Sequence, residues 1–344
     1  MTAAHAPDPH TLATLRTLAL ASGGYATPGL NDCLYAGGAG LGWAVGGGAG
    51  AAYDDDEGCA AAAPSPSLLF PALALYSSLR ALHLDRNGLA GDLAGWPSLP
   101  ALAAIHLADN GLTSLAGLTP AAAPSLALLD VSGNRLTSLA SLGGVASGLT
   151  CLRAGRNPLG GEEEEGEGDG EELSPSPSPS SPPSDPLAAL HSASRLVTLD
   201  LADCGLRDGG ALLVALRALP ALRCLAVAGN PGADVAAAFC DGGQNPRPPR
   251  RLALAASSPA LTYLDSAPIF GGERAAADAW AAGGGAPAAD AARDAWADGE
   301  RARRAELQGS GGLLEAKLAA VREGQACWVA EVPGGAGDGE EGGE

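Results

Sequence analysis

Leucines recur along the middle of the chain in one repeated pattern. Six segments follow the pattern Leu-x-x-Leu-x-Leu-x-x-Asn-x-Leu, with Ile, Val or Ala replacing some leucines and the leucine after the last Asn missing. They begin at Leu79, Leu102, Leu126, Leu149, Leu196 and Leu222. The first four asparagines lie at positions 87, 110, 134 and 157, a period of 23 to 24 residues. A period of this length predicts an array of stacked structural units.

The amino-acid pattern of each unit predicts its conformation. In the x-Leu-x-Leu part, alternate side chains point to the same side, which is the pattern of a short half-buried strand. One unit cannot bury its leucines alone, so neighbouring units stack on each other. The predicted fold is therefore an α/β leucine-rich repeat solenoid. We expect a parallel sheet on its concave face, short helices or 3-10 turns on its convex face, and helical caps at both ends.

The Asn of each unit is predicted to bond backbone groups where the chain turns a corner. Cys204 occupies this position in one repeat, and we expect its thiol to bond the backbone groups less well than an amide does. The step from Asn157 to Cys204 is 47 residues, about two periods, but it contains only one strand pattern. The excess is an acidic and then Ser/Pro-rich segment at 160–186, which predicts a disordered insertion. A second low-complexity insertion is predicted at 37–67.

The remaining segments predict caps and a tail. Residues 1–36 are predicted as an N-terminal helical cap with a helix over Pro9–Ser22, and 68–265 as the leucine-rich repeats. Residues 266–325 are predicted as a C-terminal cap with helices, and 326–344 as an acidic disordered tail. The C-terminal helices are expected at Glu273–Ala282, Pro287–Leu307 and Leu313–Glu323.

The cap after the last repeat concentrates rare large side chains, since aromatic residues form only 4% of the chain. Leu261 and Leu264 are expected to complete a last half-repeat, and Pro268 to turn the chain. Ile269, Phe270 and Trp280 are expected to cover the end of the leucine core. The predicted cap residues are Tyr263, Leu264, Asp265, Pro268, Phe270 and Trp280.

The amino-acid composition excludes some classes of binding partner and indicates the cellular compartment. The formal net charge is −19, and three acidic runs at 54–57, 162–172 and 331–344 hold 17 of the 39 acidic residues. Without a basic stripe to neutralise phosphates, we expect no nucleic-acid ligand. The first ten residues, MTAAHAPDPH, resemble neither a signal peptide nor a membrane span, so we expect a soluble cytoplasmic protein. Seven cysteines without a CxxC pair suggest no disulfide framework, and Cys151, Cys204 and Cys224 are expected to be small buried residues.

No catalytic motif is present, so we expect neither an enzyme nor a cofactor. One row of side chains does merit attention, because the position between the two strand leucines should face solvent in every repeat. The row is His83, His106, Asp130, Arg153, Asp200 and Ala226. Its outer members should lie too far apart to share one metal ion, whose donors all lie within about 2 Å of it. We therefore predict a protein-binding face of His83, Asp85, His106, Asp130, Arg153 and Asp200, in which the position of Asp85 is small in most repeats.

Two segments that flank the repeats resemble a known family more specifically than the repeats do. Before the repeats, Tyr25, Thr27, Pro28, Leu30, Asn31 and Asp32 spell Tyr-x-Thr-Pro-x-Leu-Asn-Asp. After them come Tyr263, Leu264, Asp265, Pro268, Phe270, Glu273, Arg274, Ala277, Ala279 and Trp280. Together with the repeats, these segments are similar to the leucine-rich-repeat axonemal dynein assembly factors of ciliated and flagellated eukaryotes. The resemblance covers about residues 11 to 305.

The resemblance implies a non-enzymatic factor that helps preassemble dynein arms in the cytoplasm before their transport into the cilium or flagellum. It implies axonemal dynein chains and assembly co-chaperones as partners, and we expect a monomer. Two alternatives remain open at this point. One is a splicing component resembling the leucine-rich A-prime protein of a spliceosomal ribonucleoprotein, against which the N-terminal motif speaks. The other is a leucine-rich regulator of a protein phosphatase.

Overall fold

The computed structural model describes residues 9–39, 66–161, 185–233 and 249–309. Its α-helices are α1 (Pro9–Ala21), α2 (Pro66–Leu73), α3 (Gly209–Arg217), α4 (Arg250–Ser257), α5 (Gly271–Ala279) and α6 (Gly285–Gly309). Its strands are β1 (Cys33–Tyr35), β2 (Ala81–His83), β3 (Ala90–Gly91), β4 (Ala104–His106), β5 (Gly111–Leu112), β6 (Leu128–Asp130), β7 (Cys151–Arg153), β8 (Thr198–Asp200), β9 (Cys224–Ala226), β10 (Tyr263–Leu264) and β11 (Ala267–Pro268).

Nine of these strands form one sheet in the order β1-β2-β4-β6-β7-β8-β9-β10-β11. All neighbours are parallel except β10 and β11, which are antiparallel. The opposite side carries α3 and 3-10 turns at Ala140–Leu142, Ala146–Gly148 and Ala188–Ser192. The predicted leucine-rich repeat solenoid is confirmed. Strands β3 and β5 pair in a separate small parallel sheet that the sequence did not predict.

The middle residue of each repeat strand supplies the core. These residues are Leu34, Leu82, Ile105, Leu129, Leu152, Leu199, Leu225 and Leu264, each at most 3% exposed. Because successive strand side chains alternate between faces, the residues on either side of this line reach the solvent face of the sheet. We call that solvent side the concave face. The residues of the concave face do not pack the core, because the buried residues on the other side of each strand form it.

The predicted asparagine corners bond the backbone of two repeats at once. Asn157, 1% exposed, accepts a hydrogen bond at Oδ1 from the Leu136 N–H at 3.0 Å. Its Nδ2 donates to the carbonyls of Val131 and Ala154, both at 2.9 Å. The Leu136 N–H would otherwise be unsatisfied, whereas the two carbonyls also accept from Asn134 and Cys204. Each asparagine therefore fixes both its own corner and the spacing to the preceding repeat.

Cys204 occupies the same corner with fewer bonds, as predicted from the sequence. Its thiol donates to the Ala154 carbonyl oxygen at an Sγ···O distance of 3.3 Å. Burial raises the pKa of the Cys204 thiol to about 11, and the hydrogen bonds from the Asn157 and Arg156 backbone lower it only in part. The side chain is therefore a neutral thiol near pH 7, a weak donor in place of an amide.

The N-terminal cap contains a strand in addition to the predicted helix. β1 pairs in parallel with β2 and puts Leu34 in register with Leu82, so the sheet begins one strand earlier than predicted. The chain reaches β1 through a loop closed by Asn31. The Asn31 Oδ1 accepts from the Tyr25 N–H at 2.6 Å, and its Nδ2 donates to the Tyr25 carbonyl at 2.8 Å. These bonds give the Asn of the Tyr-x-Thr-Pro-x-Leu-Asn-Asp motif a structural role.

The C-terminal turn lies earlier than predicted. Asp265 and Ser266 turn the chain with positive φ values of 48° and 66°. Pro268 instead lies in β11, opposite Tyr263 of β10. A proline is compatible with this place because β11 is the outermost strand of the sheet, where a missing N–H breaks no ladder.

The prediction that Phe270 covers the leucine core is wrong. Phe270 is 66% exposed and forms the extended N-cap of α5, two residues after β11. Ile269 points the other way and packs against both the main core and a second cluster. Trp280 is 7% exposed, but it belongs to the second cluster together with Leu252. The solenoid end is thus sealed by a small helical layer rather than by three aromatic or large side chains.

The predicted helices after the repeats correspond to α5 and α6, with a π-helical turn over Trp280–Gly284 between them. Most of each predicted insertion, the helix at Leu313–Glu323 and the acidic tail lie outside the described residues. Within the described residues, no helix is long and apolar enough to cross a membrane.

Candidate functional site

The sheet register aligns the predicted row of polar side chains across the concave face. His83 pairs with His106, His106 with Asp130, Asp130 with Arg153, and Arg153 with Asp200. Adjacent strands of a sheet lie about 4.8 Å apart, so the row is continuous. Tyr35 extends it by one strand, since it pairs with His83. Tyr35 was missed because β1 was not predicted. The role of this row in binding remains a prediction.

Three rings stack at the N-terminal end of this row. The ring centroids of Tyr35 and His83 are 4.3 Å apart with planes inclined by 20°, and those of His83 and His106 are 4.2 Å apart at 7°. We call these three residues the ring column. Burial lowers the pKa of His83 and neighbouring His106 lowers it further, although Asp85 opposes them. His83 is therefore neutral near pH 7.

The ring column is not arranged as a metal site. Parallel imidazole planes stacked face to face do not direct their nitrogens to a common point, as a metal ion requires. Among the residues that the structure describes, no group of three His, Cys, Asp or Glu side chains could hold a metal ion.

The aspartates of the concave face are fixed by backbone amides. The Asp85 carboxylate accepts a hydrogen bond from the Ala108 N–H at 2.8 Å, and the Asp200 carboxylate accepts one from the Ala202 N–H at 3.0 Å. Asp130 accepts likewise from the Ser132 N–H at 3.1 Å, and Arg153 lies 3.6 Å from its second oxygen. These carboxylates therefore have a structural role in addition to any role in binding.

A depression of about 570 Å³ lies over β7 to β10. Small side chains of Gly155, Ala202 and Ala226 line it, and Arg153, Asp200 and Tyr263 are among its larger residues. Tyr263 is 50% exposed and lies on the same face of the sheet as its strand neighbour Cys224.

Three arginines tie the C-terminal cap to the last repeat. Arg251 contacts the Glu273 carboxylate through Nε at 2.5 Å and also donates to the carbonyls of Leu264 at 3.0 Å and Pro268 at 2.7 Å. Arg274 donates to the Ala255 carbonyl at 2.6 Å. These contacts connect α4, β10, β11 and α5, and they give the Glu273-Arg274 pair of the resemblance a structural function.

Asp265 belongs to the same network. Its Oδ1 accepts hydrogen bonds from the N–H groups of Val227 at 2.7 Å and Ala228 at 2.9 Å. Arg250 lies 3.7 Å from its Oδ2 and donates to the Val227 carbonyl at 2.8 Å. Asp265 therefore satisfies the two N–H groups that directly follow β9, beyond the residues through which β9 pairs with β10. Arg250 and Arg251 were not predicted, because nothing in their local sequence marks them as donors to backbone carbonyls.

The parallel sheet and the asparagine corners define the class: this is a leucine-rich repeat protein. No protein-family model matches the chain. Over 124 residues it is 36% identical to the leucine-rich repeat-containing protein ODA7 of Chlamydomonas reinhardtii. The match covers 36% of this chain and 23% of ODA7, so it spans less than a quarter of that relative.

Solved structures with a similar arrangement include two from Listeria monocytogenes. The functional domain of InlJ has a TM-score of 0.33 and 16% identity, covering 59% of this chain and 39% of InlJ. Internalin C2 has a TM-score of 0.36 and 17% identity, covering 65% and 84%. A chain of the Drosophila melanogaster SNF/U2A' complex has a TM-score of 0.21 and 18% identity, covering 59% and 68%. Because these TM-scores are low, the fold is assigned from the parallel sheet and the asparagine corners of this chain and not from the solved structures.

Proposed function

We propose that this protein is a non-enzymatic interaction factor for the cytoplasmic preassembly of axonemal dynein arms. The observation that carries the proposal is the 36% identity to ODA7 over 124 residues. The two flanking motifs of the dynein assembly factors add to it. Asn31 of the first motif closes the loop before β1, and Asp265 and Glu273 of the second tie the cap to the last repeat.

In this proposal the concave face binds a partner protein. A row of side chains on short, rigidly paired strands, partly exposed except for the buried Asp130, offers a preformed surface, which lowers the entropy lost on binding. Dynein chains and assembly co-chaperones are the proposed partners. The protein would act as a monomer in the cytoplasm and would be required for the motility of a cilium or flagellum.

The experiment is affinity purification of the tagged full-length chain from flagellated cells during flagellar regrowth. We expect recovery of axonemal dynein heavy or intermediate chains. Recovery of spliceosomal proteins, or of a phosphatase catalytic subunit, without any dynein chain would contradict the proposal.

A pair of variants tests whether the concave face makes the contact. His83→Ala combined with His106→Ala removes two of the three rings and should reduce dynein recovery roughly tenfold, as expected for a buried interface anchor. His191→Ala is the matched control, because His191 lies in a convex 3-10 turn and is 42% exposed at its side chain. Equal recovery of dynein chains with both variants would show that the binding surface lies outside the ring column.

A further inference from the structure

The two edges of the nine-stranded sheet differ in their backbone hydrogen bonds. At the C-terminal edge, β11 is only two residues long, and one of them, Pro268, has no N–H to donate. The Pro268 carbonyl accepts a hydrogen bond from Arg251 at 2.7 Å. Short edge strands, prolines and charged side chains are the means by which proteins keep a further strand from pairing with an exposed edge. The C-terminal edge of the sheet is therefore closed.

The N-terminal edge, which β1 forms, has no such protection, since β1 contains neither proline nor a charged residue. The Ala36 N–H that follows β1 donates to the His83 carbonyl of β2 at 2.8 Å. In a parallel pair, alternate residues of a strand bond to the same neighbour, so Cys33 and Tyr35 direct their N–H and C=O groups away from β2. Within the described part of the chain, no group bonds to them. The outer edge of β1 thus presents the backbone of an unpaired strand.

The ring column ends at this same edge. One face of the Tyr35 ring stacks on His83 at a centroid distance of 4.3 Å, and Tyr35 is 51% exposed. A strand added beside β1 would lie about 4.8 Å away, so a side chain on its concave side would cover the other face of the Tyr35 ring. Aromatic pairs across neighbouring strands stabilise a sheet. An aromatic side chain would therefore extend the column and the sheet together.

We propose that β1 binds an extended segment of a partner protein by strand addition, with an aromatic side chain of that segment stacked on Tyr35. In this mode of recognition the main chain supplies the hydrogen bonds and alternate side chains supply the specificity. The inference deepens the proposed function and rests on it, because the ring column belongs to the concave face that is assigned to a partner. It states the conformation and the side-chain class of the bound segment.

The test measures the binding of a short extended peptide to the purified full-length chain by fluorescence anisotropy. The probe is a fluorescein-labelled peptide of alternating threonine and valine with a central tyrosine, N-methylated at every second residue. One edge of this peptide can pair with β1, whereas the methylated edge prevents self-association. A control peptide N-methylated at every residue should not bind, and a peptide with alanine in place of tyrosine should bind roughly fivefold more weakly.

Two substitutions at one position separate the backbone N–H from the side chain. Cys33→Pro removes an N–H that points away from β2, and an outermost strand tolerates proline there, so this variant should fold. Cys33→Ala retains the N–H and should bind the probe roughly fivefold more tightly than Cys33→Pro does. Thermal melts followed by circular dichroism verify the folding of both variants.

The ring is tested separately from the backbone. Tyr35→Ala should weaken probe binding roughly fivefold, and Tyr35→Phe should bind more tightly than Tyr35→Ala because the ring remains. Tyr263→Ala is the matched control, since Tyr263 is 50% exposed at the other end of the same sheet, and its affinity should stay within about twofold of wild type. In the wild-type chain, hydrogen exchange measured by NMR should slow at the Cys33 and Tyr35 amides when the probe binds.

Three results would overturn the inference. They are absence of probe binding to the wild-type chain, equal binding of the fully methylated peptide, and equal affinities of Cys33→Pro and Cys33→Ala. Dimerisation of the protein in sedimentation velocity, abolished by Cys33→Pro, would show that the edge pairs with a second copy and would likewise overturn it.

The recovery of dynein chains judges the proposed function independently. If the wild-type protein recovers dynein chains but binds no probe, the strand site is removed and the function stands. If the probe and variants behave as expected but no dynein chain is recovered, the function fails and the strand site remains.

Discussion

At the scale of single residues, one amide side chain per repeat holds the array together. Asn134 repeats the geometry of Asn157: its Oδ1 accepts from the Leu112 N–H at 3.0 Å and its Nδ2 donates to the Leu107 carbonyl at 2.9 Å. The amide is suited to this because it offers an acceptor and two donors on one short side chain. A thiol offers a weak donor, which is why Cys204 is an informative natural exception.

The corner amide should therefore contribute more to the free energy of unfolding than the corner thiol does. We expect Asn157→Ala to lower the free energy of unfolding by roughly 2–3 kcal/mol, because it leaves the Leu136 N–H buried without a partner and removes one of two donors from each of the Val131 and Ala154 carbonyls. Cys204→Ala should cost about 1 kcal/mol, since it removes a small buried group and two weak hydrogen bonds. Urea unfolding followed by circular dichroism measures both. Equal losses would refute the assigned role of the amide.

At the scale of elements, the helical layer after the repeats depends on a close approach between α5 and α6. Trp296 of α6 lies against the first two residues of α5, Gly271 and Gly272. A Cβ added to Gly271 would lie 2.5 Å from the Trp296 Nε1, and one added to Gly272 would lie 3.0 Å from its Cε3. Carbon and nitrogen atoms that are not bonded do not approach to 2.5 Å, so the glycine at position 271 is required by the neighbouring helix rather than by a turn, and position 272 has little room for a larger residue.

We expect Gly271→Ala to lower the free energy of unfolding by about 1–3 kcal/mol, because Trp296 must move off α5. Gly299→Ala is the matched control in α6, where an added Cβ meets no atom within 4 Å. That change should stabilise the protein by about 1 kcal/mol through helix propensity. Thermal unfolding with Trp fluorescence distinguishes the two. If Gly271→Ala also stabilises, the packing of Trp296 described above is wrong.

At the scale of the whole molecule, the repeats on either side of the predicted insertion at 160–186 adjoin directly. β7 pairs with β8 in parallel, and Leu152 is in register with Leu199. Gly161 and Asp185, the residues at the two junctions, line one common depression. The register of the solenoid is therefore complete without a contribution from residues 162–184.

Replacing residues 162–184 with a Gly/Ser linker of about eight residues should shift the unfolding midpoint by less than about 3 °C. Loop closure entropy changes only with the logarithm of loop length, so shortening gains little. Leu190→Ala, in the turn that follows the second junction, is the control; Leu190 is 1% exposed, and its loss should cost about 2–5 kcal/mol. A large loss on linker replacement, measured by calorimetry, would show that the replaced segment contributes to the fold.

Much of the fold could be predicted because its determinants are local. The alternation around Leu82, Ile105 and Leu129 specifies strands with one buried face, and the constant spacing of the asparagines specifies stacking. The predicted row from His83 to Asp200 follows from the same spacing, since equal register brings equivalent positions together. The thiol at Cys204 was likewise recognisable as a substitute, because the five other repeats show which residue the corner requires.

The sequence by itself thus determined the class of fold, the strand faces and the row of candidate binding residues. Only the tertiary structure placed Tyr35 on the ring column, moved the turn from Pro268 to Asp265-Ser266, exposed Phe270 and paired Arg251 with Glu273. Each of these depends on contacts between segments distant in sequence, which no local pattern encodes.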